Sequence, residues 1–342
     1  MHYLVTGHTG FKGAWLVLML KSRGHRVSGL ALDPIPGSLF ETAGLTELLE
    51  NDYRVDIRDA KKTAEAIQRC APDIVMHLAA QPLVRYSYEH PRETFETNAI
   101  GTLNVLEAVS KTPSVLAQLI VTTDKVYKNV NRVDGYKENE PLGGDDPYSS
   151  SKAMADLLTQ SWVKSFPGVP TAIGRAGNVI GGGDVSADRL IVDLMSNAIN
   201  GEATSIRYPT AVRPWQHVLD CLNGYLELVD ALLRGGGQGE WNFGPGPQGF
   251  VTVADMADLA LKFWGETPNW VDVSDQSQLH EAELLALDAT KAESILGWRN
   301  KLNVDSSVEW TVEWYKNVAT GASAREQTVK QIAQFETFSL GD

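Results

Sequence analysis

The chain has 342 residues, 43% hydrophobic and 21% charged, with a formal net charge of −13. That composition fits a globular chain with a sizeable core and excludes disorder as its main theme, and a pI near 5.0 argues against nonspecific nucleic-acid binding. The apolar runs fall well short of the roughly 20 residues that span a bilayer. The opening Met1-His2-Tyr3-Leu4-Val5 lacks a secretory signal's basic flank, and the two cysteines, Cys70 and Cys221, lie in no metal-like cluster. The expectation is a cytoplasmic protein with no membrane, nucleic-acid or metal partner.

Taken in order, residues 2–6 read as a short strand, 13–23 as a helix carrying Trp15, Leu16, Leu18, Met19 and Leu20, and 26–32 as the next strand, which makes one βαβ unit. Further strands are expected at 53–55, 73–78, 118–122 and 171–175, with helices at 94–110 and 149–165. This alternation predicts an α/β fold with a Rossmann-type doubly wound parallel sheet over 1–176. Beyond it, Gly- and Pro-rich turns mark 177–342 as mainly a smaller substrate lobe, from which the helix 218–233 and strand 240–243 can return to the sheet. The last dozen residues carry too little pattern to place.

Between the first strand and helix stands Gly7-His8-Thr9-Gly10-Phe11-Lys12-Gly13, where small residues let backbone amides approach a pyrophosphate at a helix N-terminus. Asp33, closing the second strand, suits the ribose hydroxyls of NAD and repels the extra phosphate of NADP. Asp56 and Ile57 are placed over the adenine, and Leu78, Ala79, Ala80 and Thr122 along the cofactor. Tyr148 and Lys152, four apart on a helix, share a face, and the ammonium is expected to lower the phenol's pKa so that it accepts a hydroxyl proton. Thr123 follows its strand at the C-terminal end, where ligands of open α/β sheets bind. Glycine turn, strand-end threonine and Tyr/Lys pair together resemble the extended short-chain dehydrogenase/reductase superfamily.

Within that superfamily the chain resembles CDP-glucose 4,6-dehydratases from Gly7 to at least Gly246. The likeness is carried by 6–13, by His77-Leu78-Ala79-Ala80-Gln81-Pro82-Leu83-Val84-Arg85, by Thr123-Asp124-Lys125, by Gly177-Asn178-Val179-Ile180-Gly181-Gly182-Gly183-Asp184 and by Arg213-Pro214-Trp215-Gln216-His217-Val218. Sister sugar-nucleotide dehydratases usually have Glu where Lys125 stands. The resemblance implies oxidation of a sugar C4 hydroxyl by NAD, loss of water across C5 and C6, and return of the hydride to C6. It makes Tyr148 the base at C4, Lys125 the base at C5 and Asp124 the acid at C6, with Thr123 orienting the substrate and Lys152 also binding the nicotinamide ribose. It gives Gln81 and Arg85 to the hexose, and Asn178, Arg189 and Arg213 to the nucleotide diphosphate. His217 either reaches the substrate or is a structural histidine.

Three departures stand out: a shorter lead before the glycine turn, Val185 where tryptophan is common, and Val126 where cysteine is common, the last read as core filling. Related enzymes pair through helices, so 94–110 and 149–165 are expected at a homodimer or higher-oligomer contact. A sugar-nucleotide 4-epimerase or reductase keeps Tyr148, Lys152 and NAD without needing Asp124 and Lys125. A non-catalytic NAD-binding regulator leaves the complete Thr123, Tyr148 and Lys152 set unexplained.

Overall fold

The computed structural model describes residues 1–132, 134–265, 270–274 and 285–338. Seven parallel strands form the central sheet: β1 (His2–Thr6), β2 (Arg26–Ala31), β3 (Asp52–Arg54), β4 (Ile74–His77), β5 (Ala117–Val121), β6 (Thr171–Ala176) and, later in the chain, β10 (Gly239–Phe243). Their order is β10-β6-β5-β4-β1-β2-β3. The chain therefore builds outward from β1 through β2 and β3, then restarts beside β1 with β4 and builds the other way. The reversal leaves a crevice at the carboxyl ends of β1 and β4, the position where open α/β sheets bind ligands.

Near-continuous apolar strands are what a sheet covered on both faces requires. The first helix, Phe11–Ser22, buries every residue from Gly13 to Leu20, because it is enclosed by the sheet, the Val218–Leu233 helix and the C-terminal Ala324–Thr337 helix. The Trp15 indole is buried with the helix and donates to the Gly182 carbonyl at 2.9 Å, joining the glycine-turn helix to the loop after β7 (Asn178–Ile180). The 218–233 helix lies on the sheet and β10 pairs with β6 in parallel.

The remaining strands belong to the smaller lobe. β8 (Thr204–Ile206) pairs with β12 (Trp270–Asp272), and β9 (Val212–His217) lies between β7 and β11 (Phe250–Thr252). Its core gathers Ile180, Leu194, Met195, Ile206, Met256 and Val308. Among the described residues no helix is long and apolar enough to cross a membrane.

Several expected boundaries shift for physical reasons. The first helix starts at Phe11, so Phe11 and Lys12 belong to its first turn. The expected helix 94–110 is three pieces: an α segment Pro91–Phe95, a π-type turn Glu96–Ile100 and an α segment Gly101–Ser110. Of the final dozen residues, 331–337 complete a helix that Ser323 caps by accepting from the Glu326 amide and that buries Ile332 and Phe335, while 339–342 lie outside the described residues.

Candidate active site

One cleft of about 780 Å³ runs between sheet and smaller lobe and is lined by the glycine turn, the ends of β2, β4 and β5, the catalytic-helix candidates and the smaller-lobe arginines. At its floor Gly7 has φ +73°, and a Cβ there would lie 2.7 Å from the Ala79 amide nitrogen. A Cβ on Gly13 would lie 2.2 Å from the Gly7 carbonyl oxygen. Gly10 precedes the helix with no side-chain cap, which leaves the first amides of Phe11–Ser22 without a side-chain acceptor. A side-chain-free cradle opening on uncapped helix amides fits the pyrophosphate of a dinucleotide.

Thr9 closes the turn by donating to the Leu32 carbonyl at 3.1 Å. Asp33 stands at the mouth with 90% of its side chain exposed, 3.9 Å from the Arg54 guanidinium. Leu78, Ala79 and Ala80 line the wall. Asp56 also lines the cleft, but Arg58 holds its carboxylate at 2.5 to 3.0 Å and, through that bond above all, keeps its pKa below the usual range. Ile57 is almost wholly buried, against the spot where Gly101 has no side chain.

The candidate reactive groups sit where β5 ends. Thr123 donates to Asp124 Oδ1 at 2.8 Å and caps the short turn Asp124–Val126. Lys125 lines the cleft and Val126 is buried in the core. The helix Pro147–Ser165 begins with proline in its first turn and with Asp146 accepting from the Ser149 amide at 2.9 Å, which fixes where its first turn points. Tyr148 and Lys152 therefore enter the cleft on one face, and both are nearly fully buried. Lys152 Nζ donates to the Val121 carbonyl at 2.9 Å. Burial, then the Lys12 charge, lowers the lysine pKa to about 8, with Asp156 opposing.

The phenol does not show the lowering expected of it: burial raises Tyr148 to about 12, offset in part by the neighbouring Thr123 hydroxyl and the Arg189 charge. Burial disfavours the phenolate by more than a single nearby cation favours it.

Asn178, Arg189 and Arg213 line the cleft from the smaller lobe, and Arg85 lines it from the segment after β4. Gln81 lines it too, with its amide engaged on its own chain by Thr94 Oγ1 at 2.8 Å and the Leu83 amide at 2.5 Å. His217 is elsewhere. It is fully buried with its ring edge-on to Trp15 and Trp310, and its Nδ1 accepts from the Leu219 amide at 3.2 Å as the cap of the 218–233 helix. His217 is not among the residues that line the cleft.

The sequence matches the model of the family described as GDP-mannose 4,6 dehydratase over residues 4–311. The chain belongs to this dehydratase family. It is 44% identical over 323 residues, 91% of this chain and 89% of the other, to a CDP-glucose 4,6-dehydratase of Salmonella typhimurium. A dTDP-glucose 4,6-dehydratase of Xanthomonas campestris pv. campestris is 29% identical over 332 residues, 92% of each chain. Among solved structures, a Streptomyces venezuelae dTDP-glucose 4,6-dehydratase with NAD bound superposes with a TM-score of 0.81 at 26% identity, covering 93% of this chain and 97% of that one.

Three groups in or behind this cleft escaped the sequence reading. Asn98, in the π-type turn, donates to Ser151 Oγ at 2.8 Å and to the Gln81 carbonyl at 3.1 Å and accepts from the Gln81 amide at 2.8 Å, tying the β4 loop to the Pro147–Ser165 helix. Arg207 follows β8, lines the cleft and pairs with Asp188 at 3.1 Å. Asp156 and Arg175 form a fully buried bidentate pair behind Lys152, at 2.7 and 2.8 Å. None of the three lies in a glycine-rich or Tyr/Lys pattern; only the i+4 spacing of Asp156 from Lys152 was there to be read.

Proposed function

We propose that this chain dehydrates CDP-D-glucose to CDP-4-dehydro-6-deoxy-D-glucose with NAD as a recycled cofactor. The observation that carries the reading is one cleft holding the Tyr148/Lys152 pair together with Asp124 and Lys125, two further proton-transfer groups that an epimerase does not need. The 44% identity to a CDP-glucose 4,6-dehydratase supports the nucleobase choice.

NAD, when bound in the glycine turn, supplies the hydride acceptor for C4 and the hydride returned to C6. Tyr148 Oη takes the C4 hydroxyl proton, with Thr123 fixing that hydroxyl and the Lys152 ammonium favouring the phenolate. The C4 ketone acidifies C5–H, whose proton passes to the Lys125 amine. Asp124 protonates the departing C6 hydroxyl, which leaves as water. Lys125 returns its proton to C5 as the hydride reaches C6, the C4 oxygen stays a ketone, and the proton that Tyr148 gives up to solvent is matched by the one that Asp124 takes back from it, so both groups are regenerated and the net change is loss of one water. Arg85, Asn178, Arg189 and Arg213 hold the sugar and the diphosphate.

The same reading places the protein in the cytoplasm and makes it a homodimer through 91–110 and Pro147–Ser165. Exposed Ile100, Met154 and Leu157 on these helices support that contact, and a purely monomeric mass by light scattering at micromolar concentration would remove it.

The test is incubation of purified protein with NAD and, separately, CDP-glucose, dTDP-glucose, UDP-glucose and GDP-mannose, followed by mass spectrometry. Loss of one water from CDP-glucose alone is the expected result. Water loss from another substrate discards the CDP assignment, and no mass change with any of them favours a 4-epimerase.

A further inference from the structure

We infer that Asp156, locked by Arg175, is a positioning residue for the Tyr148/Lys152 pair: it sets the register of the catalytic helix against the end of β5 and supplies the counter-charge of Lys152. The inference concerns how the proposed dehydratase site is held and so rests on that reading.

The geometry is a row of three contacts. Tyr148, Lys152 and Asp156 lie at i, i+4 and i+8 of one helix and so share a face. They face three consecutive residues at the strand end: Lys152 Nζ reaches the Val121 carbonyl at 2.9 Å, Asp156 Oδ2 accepts from Thr122 Oγ1 at 2.9 Å, and Tyr148 stands beside Thr123. The Thr122–Asp156 contact, one turn beyond Lys152 on the helix, is the one in which neither partner is assigned to the chemistry. Its hydroxyl-to-carboxylate bond holds the helix against the strand end that Lys152 and Tyr148 also face.

Asp156 is itself immobilised. Arg175, at the end of β6, binds both its oxygens, and the remaining guanidinium nitrogen donates to Tyr127 Oη at 2.7 Å and to the Glu138 carbonyl at 3.0 Å. Tyr127 in turn donates to Asn242 Oδ1 on β10 at 2.8 Å. Both members of the ion pair have fully buried side chains, a placement that is costly unless every charge is matched. The network thus ties the catalytic helix to β5, β6 and β10 together.

The charge argument points the same way. Lys152 is buried with Lys12 of the glycine turn nearby and His77 of β4 behind it, and on its own helix it faces Tyr148 and Asp156. Of these, Asp156 is the group that favours its ammonium form. Without that carboxylate, burial and Lys12 act unopposed and the lysine loses its proton nearer neutrality.

Three proteins test this: Asp156→Asn, Thr122→Val, and the double variant Asp156→Leu/Arg175→Met, which leaves no unpaired buried charge if the single Asp156 change fails to fold. Lys152 is titrated by NMR in [ε-13C]lysine-labelled protein, assigned through Lys152→Met, without substrate. The expected result is a Lys152 pKa below the wild-type value in whichever Asp156 variant folds, and kcat lower by roughly 10-fold to 100-fold with KM within about twofold. Thr122→Val lowers kcat with the Lys152 titration unmoved. An unmoved Lys152 titration in a folded Asp156 variant, or a wild-type kcat in Thr122→Val, overturns the inference. A wild-type protein that dehydrates no sugar nucleotide instead removes the dehydratase reading, and the titration still judges Asp156.

Discussion

In the proposed reaction Lys125 and Tyr148 act at neighbouring carbons, C5 and C4, from the end of β5 and the first turn of the helix beside it. Lys125→Met removes only the C5 base. Oxidation at C4 should continue, elimination should slow by on the order of 10²- to 10⁴-fold, and NAD affinity measured by calorimetry should stay at the wild-type value. Tyr148→Phe removes the C4 base instead, so the transient reduced-nicotinamide absorbance on mixing with substrate should vanish. Equal turnover in Lys125→Met and wild type would take Lys125 out of the chemistry. The two variants also separate the dehydratase from an epimerase, which would lose activity with Tyr148→Phe and keep it with Lys125→Met.

At the scale of elements, the glycine turn works because the Phe11–Ser22 helix comes within contact of the strand end that feeds it. A Cβ on Gly13 would lie 2.2 Å from the Gly7 carbonyl and 2.6 Å from His8 Cα, both backbone atoms that cannot swing aside. Gly13→Ala should therefore lower the melting temperature and abolish the further rise that NAD gives the wild type, read by thermal shift with and without NAD. An NAD-dependent rise of wild-type size would mean the helix can move off the turn. This turn was legible in the sequence because its chemistry is local: strand, glycines and helix are contiguous. The βαβ units were legible for the same reason, as runs such as Ile74–His77 and Ala117–Val121 stand between helical segments. The π-type turn at Glu96–Ile100 was not, since it answers to Asn98 reaching Gln81 and Ser151 and Gly101 meeting Ile57, contacts across 17, 53 and 44 positions of chain. The Asp156–Arg175 pair is hidden likewise, and His217 was ambiguous because its neighbours in sequence say nothing of Trp15 and Trp310 closing over it.

For the molecule as a whole, buried ionisable groups set how stability follows pH. His77, between Thr6 and Thr102 at 2.7 and 3.0 Å, and His217 are each pushed by burial to about 3. The unfolded chain protonates both near 6.5 while the native state does not, so each contributes stability that is lost as pH falls below 6.5. Partial burial lowers His2 and His25 as well, adding to the same sign. Asp220 opposes them: burial raises it to about 7, so the native state holds a proton that the unfolded chain releases near 3.8, and its contribution is lost as pH rises between those values. Two fully buried histidines against Asp220 leave a net uptake of about one proton on unfolding between about 4.5 and 5.5, with His2 and His25 adding to it and Asp193, also raised by burial, opposing. Stability should fall with acidification by roughly 1.4 kcal/mol per pH unit, measured as urea-unfolding free energy at fixed ionic strength. Removing the opposing group should steepen the fall: in Asp220→Asn the slope below pH 6.5 rises by about one proton's worth whatever the variant's absolute stability, whereas His217→Phe flattens it by the same amount. A slope that is the same in all three proteins would mean that neither residue changes its proton affinity on folding.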